Sequence, residues 1–246
     1  MSLSNSFEQI GNQLFRYRGF VPVIFAIAAF FIQLIDSHGR MSFSSYESVA
    51  LLLVIFGHLI RAFTVGHRSM QTSGRNRSHQ VAEVLNTTGM YSLVRHPLYL
   101  ANILIWIGWT TLLSIPWLIV AASIVFIVYY WFIMFAEEQF LRRKFGAEYE
   151  RWHHRTPRLI PNPFLYTSSH NDFSWRIMLK NEYPGWTASM TIALCIYTLL
   201  VNRIYPISKF YVQFIEAWLI LGGGIALFGL TFRFLKHRTK VFHEMD

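Results

Sequence analysis

Residues 98–136 read LYLANILIWIGWTTLLSIPWLIVAASIVFIVYYWFIMFA, a run of 39 residues without Asp, Glu, Lys, Arg or His. No element of a water-soluble core needs so long an uncharged stretch. A helix crossing the hydrocarbon of a bilayer takes about 20 mostly apolar residues, so the run fits two helices back to back. Ser114-Ile115-Pro116 divides it, because Pro116 cannot continue the first helix but can open the second. The stretch therefore predicts a helical hairpin over 98–113 and 115–136, its two antiparallel members joined by a tight turn.

Composition extends that reading to the whole chain. Of 246 residues, 53% are hydrophobic, 17% aromatic and only 14% charged, against roughly 25% charged in soluble domains. Disorder is excluded, since it requires low hydrophobicity and few aromatics. Nucleic-acid binding is excluded as well: the net charge of +9 sits beside long uncharged runs rather than on a polar surface. Further apolar runs with polar ends lie at 20–35, 48–65, 186–201 and 213–234. The expected fold is all-α, a polytopic membrane protein of about six transmembrane helices. Gly222-Gly223-Gly224 in the last run suits close helix packing. No internal repeat supports a transporter built from inverted halves. Cys195 is the only cysteine, so no intrachain disulfide forms, and the N-terminus does not resemble a cleaved signal.

Orientation follows from Lys and Arg. With the N-terminus inside, 19 basic residues fall on the cytoplasmic side and only Arg40, Arg203 and Lys209 outside. That bias agrees with the positive-inside rule and with an even number of spans. Both termini, the polar segments 66–95 and 137–185, and any active site are expected on the cytoplasmic side of a bacterial inner membrane.

Two constellations flank the uncharged run. Before it stands Gly89-Met90-Tyr91-Ser92-Leu93-Val94-Arg95-His96-Pro97-Leu98-Tyr99. Pro97 suits a first helical turn, which places Arg95 and His96 at a helix N-terminus, where anions are favoured. An arginine snorkelling to lipid phosphates would look the same. After the run stands Glu137-Glu138, two carboxylates at the expected helix C-terminus, where the macrodipole opposes them and where charge near the bilayer is costly and often functional. Neutralisation by Arg142, Arg143 or Lys144 is the alternative, Glu138–Arg142 being an i,i+4 pair. The hairpin returns both constellations to one membrane face. His153-His154 and the scattered histidines lack a metal-ligand pattern, so no metal site is expected.

Arg-His-Pro-x-Tyr, the uncharged hairpin, Glu-Glu, and Phe145-Gly146-x-x-Tyr149 leading to Pro157-Arg158-Leu159-Ile160-Pro161 resemble the isoprenylcysteine carboxyl methyltransferase and phospholipid methyltransferase family. The resemblance runs from about Thr87 to Pro161; Met90 and Ala101 depart from residues common in the family, Pro and Gly. It implies an integral-membrane enzyme using S-adenosyl-L-methionine, with Tyr91, His96, Pro97, Leu98, Tyr99, Glu137 and Glu138 at the cofactor and Arg95 and Glu138 as the catalytic pair. The chain is expected to divide into N-terminal helices and a basic segment (1–97), a catalytic hairpin with its cofactor segment (98–163), and a C-terminal connector with two helices (164–246), the last lying beyond the resemblance.

The acceptor is suggested by a basic stretch holding Arg61, His67, Arg68, Arg75, Asn76, Arg77 and His79, with no acid before Glu83 in the cytoplasmic loop. An ionised phosphate or carboxylate needs positioning by arginine, whereas an amine must first lose a proton. The expected acceptor is therefore the anionic head group of a membrane lipid, methylated at oxygen, with Arg75, Asn76, Arg95 and Arg158 binding it. Nonspecific attraction of anionic lipids also accounts for such charge. The segments around Thr72–Asn76 and Leu85–Gly89 resemble a bacterial branch of the family whose members are suggested to methylate lipid A phosphate. Prenylcysteine carboxylate and phosphatidylethanolamine nitrogen remain alternatives, as does a non-catalytic membrane scaffold.

Overall fold

The computed structural model describes residues 3–35, 43–67, 82–204 and 214–242. Among these the regular structure is entirely helical: α1 (Leu3–Arg16), α2 (Val21–Ile35), α3 (Phe43–Gly66), α4 (Met90–Leu93), α5 (Pro97–Leu112), α6 (Pro116–Phe145), α7 (Ala147–Arg155), α8 (Trp175–Ile204) and α9 (Phe214–Arg238), with short 3-10 turns at Pro163–Leu165 and Lys240–Phe242. The chain is thus an all-α polytopic membrane protein.

Six apolar helices, α2, α3, α5, α6, α8 and α9, occupy the six expected stretches. Three of them, over Tyr46–Gly66, Pro116–Phe145 and Phe214–Arg238, are long and apolar enough to cross a bilayer alone, and α1 with α2, bent by 73°, makes a fourth if the two form one broken span. α5 has 16 residues, about 24 Å of helix against a hydrocarbon core of about 30 Å. Among the described residues, three helices, or four with the bent pair, meet the length and composition of a complete span, and the remaining apolar helices α5 and α8 complete the six expected stretches.

The hairpin turns where expected. α5 ends at Leu112, Ser114 takes φ 58° and donates its N–H to the Thr111 carbonyl at 2.9 Å, and Pro116 opens α6. α6 then continues past Ala136 to Phe145. Glu137 and Glu138 therefore lie inside a helix, two turns before its end, and the expected macrodipole penalty does not apply. Arg142, Arg143 and Lys144 occupy that last turn instead, where the dipole favours cations. Gly146, at φ 50°, breaks the helix and turns the chain into α7.

One core forms on α6, where Phe126, Tyr130, Ile133 and Met134 are buried with Phe15 and Ile103. A second lies at the turn end of the hairpin, around Trp109, Leu113, Ile115 and Leu118, with Val54 and Ile196. α1 packs along α6 through a Phe7–Phe132 stack at 5.3 Å and an ion pair from Arg143 to Glu8. α9 presents Leu219, Ile220, Leu227 and Leu230 almost bare, a face that lipid rather than water can solvate.

Candidate functional site: a buried carboxylate cluster at the open end of the hairpin

Glu138 sits at the centre of the site with a side chain only 3% exposed. His96 Nε2 donates to its Oε1 at 3.1 Å, Arg95 Nη1 stands 2.9 Å from the same oxygen, and Arg158 grips the carboxylate with Nε, at 3.0 Å, and Nη2. A buried carboxylate is tolerable only when paired in this way. The Arg158 guanidinium also lies over the Trp131 ring, 4.4 Å from its centroid, a cation–π contact that fixes it against α6.

Local folding explains the assembly. His96 caps α5 and Pro97 fills its first position. The preceding segment is stitched to the loop after α7: Arg95 N–H donates to Pro157 O at 2.8 Å, Asn162 N–H to Leu93 O at 2.9 Å, and Gly89 N–H to Thr167 O at 2.8 Å. Trp152 Nε1 donates to Tyr91 O at 3.0 Å. Arg95, His96 and Arg158 thus converge on α6 from two segments bound to each other by backbone.

The two glutamates have different surroundings, as neighbours about 100° apart on a helix should. Glu138 is saturated. Glu137 is partly exposed, and its Oε2 lies 3.9 Å from His96 Nδ1 and has no hydrogen-bond partner. Arg95 Nε and His153 Nδ1 are also buried without one, and the Tyr149 hydroxyl has only the Arg95 guanidinium beside it. Under-satisfied buried donors and acceptors are rare in native structures, and here they gather around one carboxylate. An open cleft of about 580 Å³ adjoins it, lined by Arg95, His153, His154, Pro157, Ile160 and Pro163 among others. Burial beside Glu138 pushes the Tyr149 hydroxyl up to about 12, so it keeps its proton at neutral pH and remains a donor.

Burial, with Arg95 adding repulsion, holds the His153 imidazole below its ordinary 6.5. The folded state therefore prefers the neutral ring. Its contribution to stability is complete above about pH 6.5 and is lost as pH falls through the lowered value. His153→Gln is expected to flatten the stability profile on the acid side, read from thermal unfolding in detergent between about pH 7.5 and about pH 5.5. An unchanged acid slope would contradict this.

Of the residues expected in the site, the structure brings together Arg95, His96, Glu137, Glu138 and Arg158. Pro97 is buried beneath them, Leu98 is half-buried in the first turn of α5, and Tyr99 lies beside Glu137 with its ring 5.7 Å from His96. Tyr91 is tied in through its carbonyl. Arg75 and Asn76 lie outside the described residues. The alternative pairing of Glu138 with Arg142 does not form: Arg142 binds Glu150 at 2.5 Å, leaving Glu138 to Arg95 and Arg158. Arg158, expected at the acceptor, is committed to this carboxylate because the loop after α7 returns it to α6.

Tyr149 and His153 were not assigned by sequence, although Phe145-Gly146-x-x-Tyr149 marked the segment. No metal ion was expected; Glu150, His153 and His154 do bring donor atoms within 4.8 Å of one another. Arg142 on Glu150 and Arg95 near His153 make that corner a poor host for a cation.

Fold and site define a helical membrane protein with a buried ionic cluster and a ligand-sized cleft at one end of a hairpin. Residues 46–148 match the model of the phospholipid methyltransferase family, which covers α3 and both constellations. The chain is 35% identical over 126 residues to a "Probable protein-S-isoprenylcysteine O-methyltransferase" of Oryza sativa, covering 48% of the chain and 62% of the relative. It is 30% identical over 145 residues to the nickel-cobalt-cadmium resistance protein NccN of Alcaligenes xylosoxydans xylosoxydans, covering 58% and 64%. With the cobalt-zinc-cadmium resistance protein CzcN of Cupriavidus metallidurans it shares 31% over 150 residues, covering 59% and 63%. The chain thus spans rather less than two thirds of the length of each of these relatives. No solved structure matches it. The family resemblance read from the motifs is borne out for the core of the chain.

Proposed function

We propose that this chain is an integral-membrane methyltransferase that uses S-adenosyl-L-methionine and acts at oxygen on the anionic head group of a membrane lipid, such as a lipid A-type phosphate. The observation that carries the reading is the Glu138 cluster with the under-satisfied buried polar atoms beside it, within and beside the segment that matches the methyltransferase family.

The donor set fits the cofactor. An amino-acid head offers a carboxylate for Arg95 Nε and an ammonium for Glu137 Oε2, and a ribose diol can pair with a carboxylate or the Tyr149 hydroxyl. Tyr99 supplies an aromatic face to a cationic ligand. S-adenosyl-L-methionine provides an electrophilic methyl group. The protein's share is alignment and exclusion of water. In this scheme Glu138 orients Arg95, His96 and Arg158 and does not itself reach the ligand, while Glu137 does. A phosphate or carboxylate acceptor is already ionised at neutral pH, so no general base is required.

The basic surplus of 19 to 3 supports a site facing the cytoplasm of a bacterial inner membrane. The functional core is the hairpin and its cofactor segment, 98–163, together with Arg95 and His96 just before it. A second reading, methylation of a prenylcysteine carboxylate, is favoured by the likeness to the rice protein; transfer to phosphatidylethanolamine nitrogen or a scaffold role has less support. The test is incubation of native membranes containing the protein with S-adenosylmethionine labelled in its methyl group. Label in a methyl phosphate ester, retained after mild alkali, in a phospholipid or lipid A fraction is expected. Label confined to a prenylated protein would establish the second reading, and label in an amine head group would overturn O-methylation.

A further inference from the structure

A second buried ionic group lies beside the first, and the proposed site gives it no role. Glu182 of α8 is 1% exposed and receives Arg61 of α3 at both oxygens, Nε to Oε2 at 2.7 Å and Nη2 to Oε1 at 2.8 Å. Arg61 Nη1 donates to Asn102 Oδ1 of α5 at 2.7 Å. The group sits near the same end of the bundle as His96, since Ser174, just before α8, donates its N–H to Gly66 at the end of α3 at 2.8 Å.

Joining α3 to α8 does not require these charges. His58 Nε2 already meets Ser189 Oγ at 2.7 Å across the same pair of helices. A buried ion pair is often no more stable than an apolar replacement, and ionisable groups at membrane depth usually mark a functional site. The donor inventory shows what the arginine has left. A guanidinium carries five N–H groups in a rigid fork. Three are taken by Glu182 and Asn102, one on each Nη remains, and the side chain is 22% exposed whereas its partner is sealed. Glu182 therefore holds a guanidinium whose open edge still offers two donors.

That edge is close to the site. Tyr91 and Tyr130 lie beside Arg61, Tyr130 stacks on Tyr99 at 5.4 Å, and Tyr99 is 5.7 Å from His96. Tyr130 precedes Glu137 by nearly two turns of α6, so Arg61 lies on the membrane side of the Glu138 cluster. We propose that Arg61, held by Glu182, is an anion site that binds the negatively charged head group of the acceptor lipid from the membrane side of the Glu138 cluster. The word acceptor rests on the methyltransferase reading; the anion site does not. It would also give α8, which lies beyond the matched segment 46–148, a part in recognition.

The test uses the full-length protein in detergent, titrated with dihexanoyl phosphatidic acid, dihexanoyl phosphatidylcholine, inorganic phosphate and, separately, S-adenosylmethionine. Arg61→Gln/Glu182→Gln replaces the pair with two amides and leaves no buried charge unpaired, and Arg61→Lys keeps the charge without the fork. Phosphatidic acid is expected to bind the wild type better than either control and to weaken about tenfold or more in the double variant. S-adenosylmethionine affinity should change less than about twofold. Unchanged phosphatidic acid binding in a folded double variant would overturn the proposal. So would equal affinity for inorganic phosphate and phosphatidic acid, or an equal loss of both ligands. A wild type that binds phosphatidic acid through Arg61 but not S-adenosylmethionine would overturn the methyltransferase reading and leave the anion site standing.

Discussion

Glu138→Gln is expected to cost about 3 kcal/mol of stability and to weaken S-adenosylmethionine binding about tenfold to a hundredfold. The reason is the crowd of cations on one carboxylate. Arg95, His96 and Arg158 all converge on Glu138, and an amide can satisfy the geometry of at most part of that set while supplying none of its charge. Removing one partner of a buried pair leaves the others buried and uncompensated. Glu137→Gln should behave differently. It is partly exposed, and its only contacts are the 3.9 Å approach to His96 and the neighbouring Tyr99, so the unfolding midpoint in detergent should hardly move while cofactor affinity falls by a similar factor. Calorimetric titration together with thermal unfolding separates the two glutamates. Equal stability losses in both variants would contradict the division of roles.

Gly108→Val is expected to give the largest purely structural effect, about 3 kcal/mol or failure to accumulate folded protein. A Cβ built at Gly108 falls 2.7 Å from the Ala50 carbonyl oxygen and 2.7 Å from Val54 Cγ2 of α3. At Gly57, on the facing helix, it falls 2.6 Å from Ile105 Cγ1 and 2.8 Å from the Ala101 carbonyl oxygen. The two glycines let α3 and α5 approach backbone to backbone, as small residues do between helices in membranes. Backbone oxygens cannot rotate away as a flexible side chain can, so α3 must move outward, taking Arg61 away from Asn102. Thermal unfolding of the detergent-solubilised variant measures this. A midpoint equal to that of the wild type would contradict the close approach.

The hairpin could be read from sequence because its signals are local: a long uncharged run, and a proline that can start a helix but not continue one. The end of α6 could not, because a reading based on hydropathy stops a membrane helix at its first charges. Here the charges Glu137 and Glu138 are neutralised from other segments, so the helix continues to Gly146. Sequence adjacency offered only Arg142, Arg143 or Lys144 as an alternative partner for Glu138, whereas the backbone pairing of 89–95 with 157–167 delivers Arg95 and Arg158. Arg61 stood out as one of many basic residues, but Glu182 gave no signal, since its partner lies in a helix far along the chain. The amphipathic α1 was missed because its apolar face is too narrow to register as a membrane span.

The central claim is that the Glu138 cluster receives S-adenosylmethionine. The most direct measurement is calorimetric titration of the purified, folded wild type alongside Glu137→Gln. Saturable binding to one site in the wild type, markedly weaker in the variant at an unchanged unfolding midpoint, is the predicted result. A wild-type protein that unfolds cooperatively but takes up no S-adenosylmethionine would contradict the account.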